Sequence, residues 1–172
     1  MAHNLKYGLF LGFISIAITL SIIMIDPTLM VASWFQIISL VVSVTILIVA
    51  GLELRKQRGG FLSFKDAFLS TLIIIAIGTA ISTLYSIIQF NVIDPGLKET
   101  ITESIVNNTV GTLESFGMSD EQIDEAVAAI ESQDSFGVKS SLINYFTTTL
   151  IGGGIISLII GAIVKKKEPE FD

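Results

Sequence analysis

The sequence predicts an all-α integral membrane protein, a bundle of four transmembrane helices with an external helical hairpin between the third and the fourth. Hydrophobic residues make up 51% of the 172 residues, charged residues only 15%, and the mean hydropathy is +0.76. A soluble domain carries about 25% charge. Four stretches without a charged residue each exceed the ~18 residues that indicate a membrane span. A soluble enzyme, a disordered tail and a nucleic-acid-binding protein are therefore excluded.

The charge-free stretches define the four spans. They run from Tyr7 to Ile25, Pro27 to Leu52, Ala67 to Ile93 and Ser140 to Val164. Transmembrane strands need only about 9–11 residues and alternate in polarity, whereas these stretches are longer and do not alternate. A helix of about 20 residues crosses the bilayer core and satisfies its own backbone groups. We expect helices over about residues 5–25, 29–53, 64–92 and 139–164 of a single membrane domain over residues 1–172.

The basic residues predict the orientation of the bundle. Eight of the ten lysines and arginines lie before the first span, between the second and third, or after the fourth. Only Lys98 and Lys139 lie in the long segment between the third and fourth spans, which also holds ten acidic residues. By the positive-inside rule, both termini should face the cytoplasm and this segment the opposite side.

The long segment, about residues 95–138, is predicted to form the external hairpin because a structureless loop of this length is unusual. Apolar residues from Ile101 to Leu113 recur at steps of mostly three to four residues, as on an amphipathic helix. Gly117 interrupts this pattern, and Ser119 with Gln122 matches the capping box that begins a second helix. We favour a hairpin that packs on itself and on the rim of the bundle over a docking face for a partner.

The predicted spans lack the ionisable residues that catalysis and proton transfer require. The four charge-free stretches contain no histidine, and the chain contains no cysteine. Because proton relays, pumps and hydrolases need ionisable groups or a metal, we predict no enzyme and no catalytic, cofactor-binding or metal-binding residue. Gln36 and Gln89 are candidate polar residues of a small cavity, although such glutamines more often form hydrogen bonds between helices.

Small residues predict where helices touch. Gly8 and Gly12 form a GxxxG pair in the first span, and Gly153, Ser157 and Gly161 recur every four residues along the fourth. This spacing allows backbones to approach closely. The contact can lie within the chain or in a homodimer, and the first is the more common use.

Basic residues of the loop between the second and third spans are candidate lipid contacts. Arg55, Lys56 and Arg58 lie at the expected level of the headgroups and can attract anionic lipid. A specific lipid site and non-specific attraction both fit this pattern. In the same loop, Ser63 followed by Asp66 indicates the start of the third helix.

Three short motifs carry a resemblance that covers nearly the whole chain. They are the Lys-x-Gly start of the first span at Lys6 and Gly8, the Gly-Gly-x-x-Ser-Phe-x-x-Ala-Phe segment from Gly59 to Phe68, and the Asp94-Pro95 exit of the third span. In these motifs the sequence resembles a family of small four-span membrane proteins of Bacteroidetes, known only as a domain of unknown function. The resemblance implies a multi-pass protein of the bacterial inner (cytoplasmic) membrane. Together with the orientation predicted from the basic residues, this location would place about residues 94–139 in the periplasm. It loosely implies a membrane glycosyltransferase as a partner, and it implies no catalytic residues.

Two functions remain as hypotheses. The first is an accessory or scaffold subunit of an inner-membrane assembly, without catalysis of its own, that contacts the lipid bilayer and a membrane-protein partner or a second copy of itself. The alternative is a small transporter or channel for a neutral or lipidic substrate, which would use Gln36, Gln89 and the glycine run from Gly152 to Gly154. A polar cavity in the bundle would favour the alternative. Neither hypothesis involves nucleic acid.

Overall fold

Helices account for most of residues 1–167, the part of the chain that the computed structural model describes. The α-helices are α1 (Ala2–Ile25), α2 (Ser33–Gln57), α3 (Phe64–Ile88), α4 (Leu97–Ser115), α5 (Asp120–Ser132), α6 (Val138–Thr147) and α7 (Gly153–Val164). A 3-10 turn, Pro27–Val31, precedes α2. One π turn, Gln89–Ile93, extends α3, and a second, Thr148–Gly152, joins α6 to α7.

Four helical stretches are long and apolar enough to cross a membrane. They are Ala2–Ile25, Ser33–Gln57, Phe64–Ile93 and Val138–Val164. The predicted fold class is therefore confirmed, including the external hairpin, which α4 and α5 form.

The second span begins later than the sequence suggests. The Asp26 carboxylate accepts hydrogen bonds from the backbone N–H and the hydroxyl of Thr28, at 2.9 and 2.7 Å. These bonds stabilise the 3-10 turn, so α2 starts at Ser33 rather than near residue 29. They also hold the pKa of the Asp26 carboxyl below its ordinary value, because they favour its charged form.

The four spans form a ring in the order α1, α3, α7, α2. The most extensive contact joins α1 to α3, and α3 also packs along α7. Contacts of α2 with α7 and with α1 close the ring. We call the end that holds the α2–α3 loop and residues 165–167 the basic end, and the end that holds α4 and α5 the hairpin end.

The core consists of two packed layers, one towards each end of the bundle. The layer towards the basic end brings together buried side chains of all four spans, among them Leu11, Leu47, Ile74 and Ile160. The layer at the hairpin end is built by Phe90, Leu97 and Ile101, with partly buried Ile23, Met30, Val31, Ile105 and Phe136 against them.

Polar contacts lock the basic end. Leu62 and Lys166 form an antiparallel bridge through two N–H···O bonds of 2.9 Å. Ser63 caps α3 by accepting from the backbone N–H of Asp66 at 3.1 Å, as the sequence indicates. The Tyr7 hydroxyl donates to the Glu53 carboxylate, which joins α1 to α2.

The hairpin packs on itself and on the rim of the bundle. Ile123 of α5 is buried, and α4 lies against both α5 and the 3-10 turn. At the start of α5, the Gln122 side-chain oxygen accepts from the backbone N–H of Ser119 at 3.2 Å, the reach-back bond of a capping box. The Lys98 ammonium donates to Asn91 Oδ1 at 2.8 Å, and this bond attaches α4 to the end of α3.

Candidate functional site

Between the two packed layers, the spans bury no side chain completely. Residues 13–21 of α1, 33–46 of α2, 79–88 of α3 and all of α6 include no buried side chain. Each of these segments lies in the part of its span towards the hairpin end. Three adjoining cavities lie between the spans in this region, and we call them together the cleft.

Hydroxyl groups of α3 line the cleft. Thr79, Ser82, Thr83 and Ser86 follow the three- and four-residue steps of one helix face. Between this face and α6 lies a cavity of about 300 Å³, to which α6 contributes Ser141, Asn144 and Tyr145. A second cavity of about 270 Å³ lies on the side of the same face towards α1 and reaches Ile16, Thr19 and Phe90.

The cleft deepens into an apolar cavity at the centre of the bundle. This third cavity, of about 180 Å³, is lined by all four spans. Its walls include Leu11 of α1, Leu40 and Leu47 of α2, Ile75 of α3 and Ile156 of α7. Ser82 lines all three cavities, so the three lie next to one another. The cleft is thus polar between α3 and α6 and apolar at its deep end.

The hydrogen bonds of the lining hydroxyls determine whether these groups can donate to or accept from a ligand. Ser15, Ser43, Thr79 and Ser82 each donate to a backbone carbonyl four residues earlier in the same helix, at 2.7 to 3.1 Å. A hydroxyl has one donor and two acceptor sites. Because the donor is used within the helix, the oxygen lone pairs remain for a molecule in the cleft. These four hydroxyls therefore favour a ligand that donates hydrogen bonds.

The π turn Thr148–Gly152 shapes one wall. Its Thr149 is buried, with its hydroxyl 3.0 Å from that of Thr79, so the turn is attached to α3. Thr148 and Gly152 line the deep cavity, and a Cβ at Gly152 would meet nothing within 4 Å. π turns interrupt helices frequently at functional sites.

The polar residues proposed for a cavity from the sequence, Gln36 and Gln89, do not meet in this cleft. Gln36 lines a separate groove of about 410 Å³ with Ile105 and Thr109 of α4. Gln89 is 5% exposed, and its side-chain oxygen accepts from the Tyr85 hydroxyl at 2.9 Å. Hydroxyls replace the two amides as the cleft lining, and the spacing of Thr79, Ser82, Thr83 and Ser86 along α3 is the sequence signal that points to them.

The glycines proposed for helix contacts all face other helices of the same chain. A Cβ at Gly8 would lie 2.6 Å from Ile77 Cβ, and one at Gly12 would lie 2.9 Å from Ile81 Cβ, so α1 meets α3 there. A Cβ at Gly153 would lie 3.0 Å from Ile75 Cγ2, and one at Gly161 3.2 Å from Phe64 Cε2. Between these two glycines, Ser157 is 0% exposed. The small-residue faces therefore serve the packing of α3 against α1 and α7.

The basic residues proposed as lipid contacts differ in their surroundings. Arg55 donates to the backbone oxygen of Val164 at 3.3 Å, and Arg58 pairs with Asp66 at 2.6 Å. Lys56 is exposed. Both arginines thus have a partner within the protein.

Comparison with known proteins identifies one family. The model of a protein family described as a protein of unknown function, DUF4199, matches residues 6–166. Neither a curated protein nor a solved structure matches the chain. The expected membership of an uncharacterised family is confirmed.

Proposed function

The chain belongs to the DUF4199 family, and we propose that it binds a neutral, lipidic ligand in the cleft and acts as a small carrier for it. The observation that supports this proposal most strongly is that two cavities lined by hydroxyls adjoin a mainly apolar cavity at the centre of the bundle. An amphiphile has the same two-part character. Its polar group would occupy the space between α3 and α6, and its chain would enter the deep cavity.

The chemistry of the lining defines the class of ligand. The residues that line the three cavities carry hydroxyl, amide, aromatic or aliphatic side chains and no charge. A charged group would lose its hydration there without a counter-charge, which is costly. The hydroxyl oxygens of α3 can accept hydrogen bonds, so the ligand's polar group should be uncharged and bear hydroxyl or amide donors.

The membrane and the orientation are part of the proposal. We place the protein in the inner membrane of a bacterium, in keeping with the resemblance to proteins of Bacteroidetes. The basic end, with both chain termini, would face the cytoplasm, because eight of the ten basic residues lie there. The cleft, which lies towards the hairpin end, would then open at the level of the periplasmic leaflet. In this function the protein carries out no catalysis.

Two neighbouring glycines provide a sharp test. Gly152 lines the deep cavity, whereas Gly154 does not, and a Cβ at either would meet nothing within 4 Å. Gly152→Leu should place its side chain in the cavity, because there is room for the added Cβ, and Gly154→Leu is its matched control. Each protein would be purified from native membranes in mild detergent, and its bound lipids would be extracted and identified by mass spectrometry.

We expect one lipid class with a neutral, hydroxyl-bearing headgroup to be enriched on the native protein and on Gly154→Leu. It should fall at least about tenfold on Gly152→Leu, because a filled cavity costs the ligand ~1.4 kcal/mol or more of apolar contact. Equal lipid on all three proteins at equal thermal stability would contradict the proposal.

An accessory subunit of a membrane assembly is the second candidate. Phe116, which is 77% exposed, and Met118, which is 37% exposed, follow α4 at the tip of the hairpin. Exposed aromatic residues are favoured at protein interfaces. The partner would be a membrane protein, with a membrane glycosyltransferase or a second copy of this chain as candidates. Affinity purification with the native chain and with Phe116→Ser would test this, since a stoichiometric partner should be lost only with the variant.

A further inference from the structure

The basic end carries a second surface that the cleft does not involve. We propose that Lys165 and Lys166, supported by Phe61 and Phe64, bind the headgroup of an anionic phospholipid. We call these four residues the lysine–phenylalanine surface. It lies at the opposite end of the bundle from the cleft mouth. Binding of an anionic lipid here does not depend on the carrier function.

Tertiary structure builds this surface from two distant parts of the chain. The antiparallel bridge between Leu62 and Lys166 attaches the segment after α7 to the α2–α3 loop. The Lys165 ammonium then lies 5.8 Å from the centre of the Phe64 ring. The Lys166 ammonium lies at the same distance from the Phe61 ring. Both distances are within the ~6 Å over which a cation is attracted to an aromatic face.

The bridge and the rings restrict how far the two ammonium groups can move. A lysine on a free terminus would lose much of its side-chain entropy on binding a headgroup. Here the backbone of Lys166 is held by two hydrogen bonds, and each ammonium has a ring beside it. Preorganisation of this kind favours a defined site over diffuse attraction.

Charge complementarity identifies an anion as the occupant. Among the described residues of the basic end, the acidic side chains are Glu53 and Asp66. Glu53 is paired with Lys6 and accepts from Tyr7, and Asp66 is paired with Arg58. The exposed lysines therefore add a positive charge that these acids do not offset. An ammonium is a compact charge that commonly binds phosphate.

The position of the surface points to a phospholipid rather than a free phosphate. The surface lies where α3 begins and α7 ends, the level at which headgroups contact a spanning protein. Phe64 is 41% exposed, so its ring can also meet the acyl region. Arg55 and Arg58 have partners within the protein. Lys56, Lys65 and Lys167 are exposed as well, but Lys165 and Lys166 are the lysines of this end whose ammonium groups lie beside the rings of Phe64 and Phe61.

The test uses the full chain in mild detergent and measures its thermal midpoint against added phosphatidylglycerol or phosphatidylcholine. We expect phosphatidylglycerol alone to raise the midpoint of the native protein. The variant K165Q/K166Q should bind it about 25-fold more weakly, about fivefold for each charge removed. K165R/K166R should retain binding because it keeps the charges, and K139Q, at the hairpin end, should match the native protein.

The alternatives give different results. Equal effects of the two lipids, or unchanged binding of phosphatidylglycerol by K165Q/K166Q, would overturn the proposal. Soluble glycerol phosphate that protects the protein at the concentrations where the lipid does would assign the surface to a free phosphate and overturn it as well. Loss of binding in K165R/K166R equal to that in K165Q/K166Q would show that charge is not what the surface recognises. If K165Q/K166Q fails to fold, the single variants K165Q and K166Q take its place with the fivefold expectation for each.

Discussion

Gly51 of α2 lies so close to Val164 of α7 that a Cβ on the glycine would be 2.9 Å from Val164 Cγ1. Val164 is 0% exposed, and Gly51 is also buried. The contact joins two helices that are far apart in the sequence and closes the ring of four spans. In the same place the Arg55 guanidinium donates to the Val164 carbonyl at 3.3 Å. The packing of α2 on α7 therefore depends on a missing side chain.

The Gly51–Val164 contact predicts that a smaller residue at position 164 will partly restore the stability lost when a larger residue replaces Gly51. Gly51→Ala should destabilise the protein by about 1–3 kcal/mol, because the added methyl overpacks a closed contact. Val164→Ala should cost a similar amount through the volume that it leaves empty. Val164→Ala removes both methyl groups that face the new Cβ, so the double variant should be more stable than the sum of the single effects predicts.

Thermal unfolding in detergent of the four proteins of this double-mutant cycle measures the coupling. Additive effects would mean that α2 can move away from α7 at no cost, which would contradict a tight contact at this point.

The face of α7 that meets α3 predicts two destabilising substitutions. Gly153→Leu and Gly161→Leu should each lower the thermal midpoint, because a larger side chain would push against Ile75 or Phe64. Ser157→Ala is the control on the same face, since its buried hydroxyl has no hydrogen-bond partner within residues 1–167. Its removal should be neutral or stabilising. Unchanged stability of both leucine variants would place this face against lipid.

The external hairpin should be held by Lys98. This ammonium lies 2.8 Å from Asn91 Oδ1 and 3.9 Å from the Asp134 carboxylate, so it ties α4 to both ends of the hairpin segment. In the native protein we expect hydrogen exchange to be slow for the amides of about residues 122–132, because α5 is too short to persist without packing.

Lys98→Ala should speed this exchange several-fold, as expected from the loss of a bond of about 1 kcal/mol. Lys139→Ala, which removes an exposed lysine at the start of α6, should leave it unchanged. Complete exchange in the native protein would mean that α5 is not packed in solution.

The orientation predicts the activity of reporter fusions. A reporter that is active only in the cytoplasm should work at residue 57, in the last turn of α2, and at the C-terminus. The same reporter should be inactive near residue 115, at the end of α4. An active fusion near residue 115 would reverse the orientation and place the cleft in the other leaflet.

Several local features follow directly from the sequence. The start of α3 at Phe64 is set by Ser63, whose side chain caps the helix. The start of α5 at Asp120 follows from Ser119 and Gln122 in the same way. Such caps involve residues a few positions apart, so the information lies within one turn of helix.

The cleft could not be predicted in the same way. Gln36 and Gln89 carry amides near the hairpin ends of their spans, yet one lies beside α4 and the other is buried against Tyr85. The hydroxyls of α3 are ordinary in a membrane helix, where they bond their own backbone. They line a cleft because a cavity remains between α3 and α6 at this level. How two helices pack cannot be read from the sequence of either one.

The sequence by itself determined the class of fold, the number of spans and the presence of the hairpin. The physical reason is that each spanning helix must by itself match the thickness of the bilayer. Each must also satisfy its own backbone hydrogen bonds and keep charged side chains out of the hydrocarbon core. Only the tertiary structure decided which glycines meet which helices, where the two packed layers leave a cleft, and that Lys166 is joined to Leu62. These features depend on side-chain shape across pairs of residues that the chain separates widely, and close packing fixes them only when all four spans are in place.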